Sequence, residues 1–207
     1  MRTRLSLDER REQLIRLGEE LFAARPFDEV SIDDIALRAG ISTGLLYHYF
    51  GSKRGYYVAV VRAGIAELRE AIAVPPGPER TLRSLDAYLA YVEAHAAGYL
   101  QLMGAGVGAD PEVAAIVDAL RRELAARVVE GLEQAGAQWP AGAPPPLLRH
   151  AVRGWVGAVE GASLDWVAYR DVPRARVSEF LGHALGGVLR AAAAAEPALG
   201  LRVGELE

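Results

Sequence analysis

The chain has 207 residues, a net charge of −4 and 51% apolar residues, enough for one large domain or a small domain beside a larger one. It contains no cysteine, which excludes disulfides, thiolate metal sites and cysteine nucleophiles. No signal-peptide pattern and no apolar run of the ~20 residues that a membrane span requires are present, so we expect a cytoplasmic protein without membrane contact.

Charge is unevenly distributed along the chain. Residues 1–54 carry nine basic and nine acidic side chains, whereas the remainder carries 14 basic and 18 acidic ones. Residues 35–54 contain Arg38, Lys53 and Arg54 but no acid. A locally positive face on an acidic body suits a protein that meets a polyanion at one end.

The first predicted element is an amphipathic helix over residues 8–24. Arg25-Pro26 ends it, because proline disfavours helical backbone in the residue before it. The apolar face recurs at helical spacing and consists of Leu14, Ile15, Gly18, Leu21 and Phe22.

Residues 31–50 predict two short helices around a tight turn. Ser31 caps the first of them, Gly40 supplies the left-handed turn, and Ser42 caps the second, which runs to about Phe50. The side chains expected to face inward are Ile32, Ile35, Ala36, Ile41, Leu46 and Phe50.

The outward face of the second short helix lacks the charges that a solvated helix normally carries. It offers a hydroxyl, bare backbone, a leucine and two polar aromatic tips, and such a face can enter a DNA major groove. The alternative is an ordinary helical hairpin packed against a neighbour. The outward residues are Thr43, Gly44, Leu45, Tyr47 and His48.

Three segments resemble the DNA-binding domain of the tetracycline-repressor (TetR) family of bacterial regulators. They are LGEELF in the first helix, SIDDIA in the second, and AGISTGLLYHYFGSK, which ends at Lys53. The resemblance covers about residues 8–65. It implies an all-α fold of about nine helices, with a three-helix, helix-turn-helix domain over residues 1–54 and a ligand-binding and dimerisation domain over residues 55–207.

The same resemblance implies the DNA contacts. Carried over by position, they are Thr43, Gly44, Leu45, Tyr47, His48 and Lys53, with Ser31 and Ser42 on phosphates. Two positions depart from the family pattern. Leu45 often has a polar counterpart, and Arg54 stands where an acid is common, so Arg54 adds either a phosphate contact or nothing.

The C-terminal part predicts long helices. The fourth helix spans about residues 52–73, and prolines at 75–78 break it. A fifth over about 79–103 has a stripe of rings that can line a ligand cavity, although ordinary core packing explains each ring equally well. The candidate ligand residues are Tyr88, Tyr91, His95, Tyr99, Met103, Trp155 and Trp166.

A glycine-rich break over residues 104–110 precedes a helix that Asp110 caps and that runs to about Gln134. A loop over about 138–146 then leads to two closing helices, at about 146–170 and 173–195. Their apolar faces and many glycines predict a subunit interface, and the family resemblance implies a homodimer with a four-helix interface. An intramolecular bundle is the alternative.

The sequence supports catalysis less well than it supports DNA binding. The four histidines are scattered, and neither a metal-ligand spacing nor a nucleophile motif occurs, so we expect no catalytic residue, metal or cofactor. Glu160 and Asp165 could recognise a cationic or hydroxylated ligand. We predict a ligand-responsive repressor that a small effector releases from palindromic double-stranded DNA. The alternatives are a protein-binding scaffold using residues 45–49, or a hydrolase or isomerase using His95 with Tyr99.

Overall fold

The structure is a computed structural model that describes residues 6–75, 80–106, 110–137, 139 and 142–196. The predicted breaks at 76–78 and 107–109, parts of the loop at 138–146, and the tail after Pro197 lie wholly or partly outside these residues. Within them the chain forms nine α-helices and no strand, as an all-α fold requires. The helices are α1 (Leu7–Ala24), α2 (Ile32–Ala39), α3 (Thr43–Phe50), α4 (Lys53–Ala71), α5 (Arg80–Ala94), α6 (Ala96–Gln101), α7 (Pro111–Gln134), α8 (Pro146–Tyr169) and α9 (Arg174–Ala195).

The chain packs as two units. The first takes the described residues of Met1–Arg69 and His95–Val117, and the second takes those of Glu70–Ala94 and Asp118–Glu207. The division predicted between residues 54 and 55 rests on function and stays a prediction. None of the helices in the described ranges combines the length and apolarity needed to cross a bilayer.

The first unit is built on α1, which packs against α2 and α6, while α2 packs against α3. The Tyr56 hydroxyl of α4 donates a buried hydrogen bond of 2.6 Å to the Leu14 carbonyl of α1. Gly18 permits this approach, since a Cβ there would lie 2.8 Å from the Tyr56 hydroxyl and collide with Val60. The predicted apolar face of α1 is buried at Leu14, Gly18, Leu21 and Phe22.

Side-chain caps fix the starts of the short helices. The Ser31 hydroxyl accepts from the Asp34 amide at 3.0 Å, and the Ser42 hydroxyl accepts from the Leu45 amide at 3.2 Å. Gly40 ends α2 with φ +64°, so both predicted caps and the predicted turn are confirmed. A third cap, from Ser6 to α1, was not predicted.

One predicted helix is wrong as a continuous element. The helix expected over residues 79–103 is interrupted at His95, whose φ of −111° and ψ of 26° leave the helical region. Residues up to Ala94 pack in the second unit, and those from His95 pack in the first. The interruption therefore lets α5 pack in the second unit while α6 packs in the first. After α6 the backbone widens into a π-helical turn over Leu102–Gly106.

The second unit packs α9 against α8 and α5, and α5 against α8. Its core includes the indole of Trp155, whose Nε1 donates to the Leu181 carbonyl at 2.9 Å. Phe180, which the apolar pattern of α9 includes, is 63% exposed. The buried face of α9 consists of Val177, Leu181, Leu185, Leu189 and Ala192.

Candidate nucleic-acid interface and ligand cavity

The helix α3 divides sharply into a buried side and an exposed side. Leu46 is only 1% exposed, whereas its neighbours Leu45 and Tyr47 are 37% and 48% exposed. His48 is also exposed, and Thr43 is half-buried. Most of the residues predicted to face outward therefore lie on the surface of the first unit.

Gly44 lies open on this surface. A Cβ at that position would meet only the Ser42 hydroxyl, at 4.0 Å, among the described residues. Its φ lies in the ordinary helical range, so neither strain nor crowding within the chain requires a glycine here. The bare backbone is therefore free to approach an external surface.

The two capping serines keep a donor after capping. In each cap the hydroxyl oxygen accepts from a backbone amide, at Asp34 for Ser31 and at Leu45 for Ser42. A serine hydroxyl also has one proton to donate. Both serines are exposed, so each can still donate to a phosphate oxygen.

Lys53 begins α4 and is the only lysine in the sequence. Its Nζ lies 4.3 Å from the centroid of the Phe27 ring and 3.5 Å from the Asp28 carbonyl oxygen. The cation–π contact holds the ammonium near the surface without neutralising its charge, because the ring carries no net charge. The lysine remains a cation that can meet a phosphate.

Arg54 is occupied within the first unit. Its guanidinium donates to both carboxylate oxygens of Asp110, at 2.5 and 3.0 Å, and lies 3.2 Å from Glu112. Arg62 contacts the other oxygen of Glu112 at 3.1 Å. This network ties the start of α4 to the start of α7, which leaves Arg54 little freedom to serve as a phosphate contact.

Asp110 has two roles in that network. It accepts from Arg54, and its Oδ1 also caps α7 by accepting from the amides of Glu112 and Val113 at 2.8 and 3.2 Å. The hydrogen bond from Arg54 is the main cause that lowers the pKa of Asp110 from 3.8 to about 2, and the two amides add to it.

This lowered pKa predicts a pH dependence of stability. A carboxyl group whose pKa is lower in the folded state stabilises the fold fully above its unfolded pKa. We expect that contribution to be complete above about pH 4 and to be lost as the pH falls towards 2. An Asp110→Asn variant keeps a capping side chain but no charge. Urea unfolding at pH 5 and pH 3 should therefore show a smaller acid-induced loss in the variant than in the wild type, and equal losses would contradict the assignment.

A cavity of about 70 Å³ lies within the second unit, between α5, α7 and α8. Of the seven ring and methionine residues predicted to contact a ligand, Tyr88 and Trp155 line it. Trp166 lines a separate cleft beside Arg174, and its indole donates to the Val172 carbonyl at 2.8 Å. Tyr91, His95, Tyr99 and Met103 are not among the described residues that line either space.

The break in the helix at His95 explains why three of the predicted ligand residues do not line the cavity. His95, Tyr99 and Met103 belong to the first unit, whereas the cavity is lined by residues of the second. His95 is exposed and lies 3.6 Å from the Glu67 carboxylate. Within the described ranges, no group of three His, Asp or Glu side chains is placed to hold a metal ion.

Two family models match the chain. The model for bacterial regulatory proteins of the tetR family matches residues 14–60, and the model for the tetracycline-repressor-like C-terminal domain matches residues 78–185. The chain belongs to the TetR family of bacterial transcriptional regulators.

Individual relatives agree with this assignment. A TetR-family regulator of known structure from Streptomyces coelicolor is 32% identical, with a TM-score of 0.84 over 98% of this chain and 90% of that one. The transcriptional activator FasR of Mycolicibacterium smegmatis is 34% identical over 119 residues, which are 55% of this chain and 54% of FasR. The regulator BetI of Stenotrophomonas maltophilia is 41% identical over 64 residues, 31% of this chain and 33% of BetI. The matched stretches span about a third to a half of these two curated relatives.

Two sets of residues in this TetR-family regulator were not predicted from the sequence. The pair of Arg54 and Asp110 joins positions 56 residues apart, and no pattern in the sequence links them. The polar lining of the cavity was also missed, apart from Glu160, because polar residues at the edge of a helical stripe resemble solvent-facing ones. That lining consists of Arg80, Thr81, Ser84, Arg127 and Glu160.

Proposed function

We propose that the protein is a homodimeric repressor that binds a palindromic operator and that a small ligand releases. The observation that carries this proposal is the division of α3, which buries Leu46 and exposes Leu45, Tyr47 and His48 beside the lone lysine. Two copies of α3 would enter successive major grooves, about 34 Å apart in simple helix-turn-helix dimers.

The exposed residues divide into two roles. Thr43, Gly44 and Leu45 lie in the first turn of α3, where a recognition helix contacts base edges, and Leu45 can contact a thymine methyl. Tyr47 and His48 can donate to phosphate oxygens. The remaining phosphate contacts that we propose are Ser31, Ser42 and Lys53.

The lone lysine gives a direct test of the interface. Amine-directed acetylation of the native protein can modify only Lys53 and the chain's N-terminal amine, so mass spectrometry reports each rate separately. Operator DNA, obtained by selecting genomic fragments with the purified protein, should slow acetylation of Lys53 and leave the N-terminal amine as the internal reference. In parallel, Lys53→Ala should reduce the salt slope of operator binding by about 0.9.

The matched control in that experiment is Tyr47→Phe. It removes a neutral hydroxyl from an exposed ring, so operator affinity should fall while the salt slope stays unchanged. If bound DNA fails to protect Lys53, and Lys53→Ala leaves the slope as it was, α3 and the start of α4 do not form the DNA-binding surface.

A second prediction concerns Gly44. Gly44→Ala should fold at least as stably as the wild type, because the position is open and alanine favours helix by up to about 1 kcal/mol. Operator affinity should nevertheless fall about tenfold, since the added methyl group would hold the backbone away from the DNA and a good base contact is typically worth ~1–3 kcal/mol. Thermal unfolding and fluorescence anisotropy measure the two effects. Gly55→Ala is the contrasting variant, because its Cβ would collide with the Phe50 carbonyl and lower stability.

The proposed dimer uses the outer face of α8 and α9. Gly154, Gly157 and Gly161 follow one another along α8, and apart from their chain neighbours and the backbone of α8 no described atom lies within 4 Å of the Cβ position of any of them. Small residues let helices of two subunits approach closely, and Phe180 on α9 supplies an exposed apolar ring. Membership of the TetR family supports a four-helix interface of this kind.

An activator is the second candidate, because the name of FasR describes an activator and 119 residues of the chain are 34% identical to it. In vitro transcription from a selected promoter fragment distinguishes the two functions. Added protein should reduce transcript yield if it is a repressor, and an increase would identify an activator. In both cases a ligand acts by binding one conformation of the dimer better than the other.

A further inference from the structure

The cavity in the second unit is lined by more positive than negative side chains. Three charged side chains line it, namely Arg80 on α5, Arg127 on α7 and Glu160 on α8. A charge that borders a partly enclosed apolar space must be matched by a partner, because desolvating it alone is costly. The partners of these three groups therefore indicate what charge a ligand must bring.

Glu160 is already matched. Both of its carboxylate oxygens lie 2.9 Å from the Arg121 guanidinium nitrogen, and its side chain is only 15% exposed. A cationic ligand at Glu160 would have to compete with this partly buried guanidinium. The structure thus disfavours the cation recognition that the sequence suggested for Glu160, and Asp165 is exposed to solvent.

The two arginines differ in how they are matched. Arg127 pairs at 2.9 Å with Glu123, one turn away on the same helix. Arg80 donates to the neutral amide oxygen of Gln134 at 3.4 Å, and no described carboxylate lies within 4 Å of it. Among the described residues, the charges around the cavity therefore sum to one positive charge, at the Arg80 end of α5.

Two further polar groups of the lining are engaged within the protein. Ser84 donates to the Ile72 carbonyl at 3.1 Å, and the indole nitrogen of Trp155 is bound to Leu181. Trp155 can therefore present only its ring to a ligand. The aliphatic walls are formed by Leu85, Leu124, Val128, Val156 and Val159.

From this lining we propose that the effector is a small carboxylic acid with an apolar body, its carboxylate held by Arg80. Guanidinium groups recognise carboxylates through paired hydrogen bonds. A phosphate monoester carries a charge of about −1.5 to −2, more than the single positive charge available. The cavity of about 70 Å³ is roughly half the ~150 Å³ that accommodates benzene, so the body has only a few carbons. The inference rests on the proposed ligand response but concerns binding to the second unit alone.

The test uses one propyl body with four head groups. Butanoate, butanamide, propylammonium and propyl phosphate are titrated into the full-length protein without DNA, by calorimetry and by following the Trp155 indole resonance. Butanoate should bind at least about tenfold more tightly than the amide and the ammonium, and more tightly than the phosphate. Arg80→Gln should remove that preference for the acid.

Arg149→Gln is the matched control, because Arg149 is an exposed arginine of α8 outside the cavity lining. It should bind butanoate like the wild type, and thermal unfolding of all variants verifies that they fold. Equal binding of acid and amide, tighter binding of the ammonium or the phosphate, or no shift of the Trp155 resonance with butanoate would overturn the inference. Any of these results would leave operator binding unaffected, so failure here is distinguishable from failure of the proposed function.

Discussion

A Leu46→Ala variant should lose about 2–5 kcal/mol of unfolding free energy, which is the usual cost of removing a fully buried leucine side chain. Leu46 is 1% exposed and is the one fully buried residue of α3. Without it the helix loses the only side chain that it buries fully in the first unit. Operator binding should fall together with stability, and urea unfolding with linear extrapolation measures the loss.

The adjacent leucine is the matched control. Leu45→Ala removes the same atoms from a side chain that is 37% exposed, so the unfolding free energy should change by less than about 1 kcal/mol. Operator affinity should still fall, because Leu45 belongs to the proposed reading face. Equal losses of stability in the two variants would show that α3 does not present the surface described here.

A Gly157→Arg variant should be a folded monomer that has lost at least about 100-fold in operator affinity. The position is open within the chain, and arginine favours helix over glycine by up to about 1 kcal/mol, so the subunit itself should remain stable. A large charged side chain on the proposed α8 face would keep two subunits apart. Linking two half-site contacts typically raises affinity by 10²–10⁴, and a monomer forfeits that gain.

Sedimentation equilibrium and fluorescence anisotropy measure the two consequences. Ala126→Arg serves as the control, since Ala126 is an exposed small residue on α7, outside the proposed interface. It should remain dimeric and bind operator normally. A wild-type protein that is monomeric at micromolar concentration would contradict the proposed dimer. A Gly157→Arg variant that stays dimeric would show that the interface does not use this face of α8.

Local chemistry made the N-terminal part of this fold predictable. Ser31, Gly40 and Ser42 act through neighbours no more than four residues away, and their caps and turn occur where the sequence indicated. The burial of Leu46 also follows from helical spacing alone. Such features depend on the residues beside them and little on the rest of the chain.

Features that depend on distant residues could not be predicted in the same way. The apolar stripe over residues 79–103 keeps its spacing across His95, so periodicity gives no sign that the two halves pack in different units. Likewise, nothing near Arg54 marks it as the partner of Asp110. The net charge of the cavity likewise depends on the partners of Glu160 and Arg80, which lie 39 and 54 positions away in the sequence.

The division of α3 also bears on how such a regulator evolves. The residue that attaches the helix, Leu46, is separate from the exposed residues at positions 44, 45 and 47. Substitutions at those three positions should therefore change the stability of the fold very little. Duplicated copies of this gene could acquire new operator preferences through single replacements there, while the fold and the C-terminal domain are inherited unchanged.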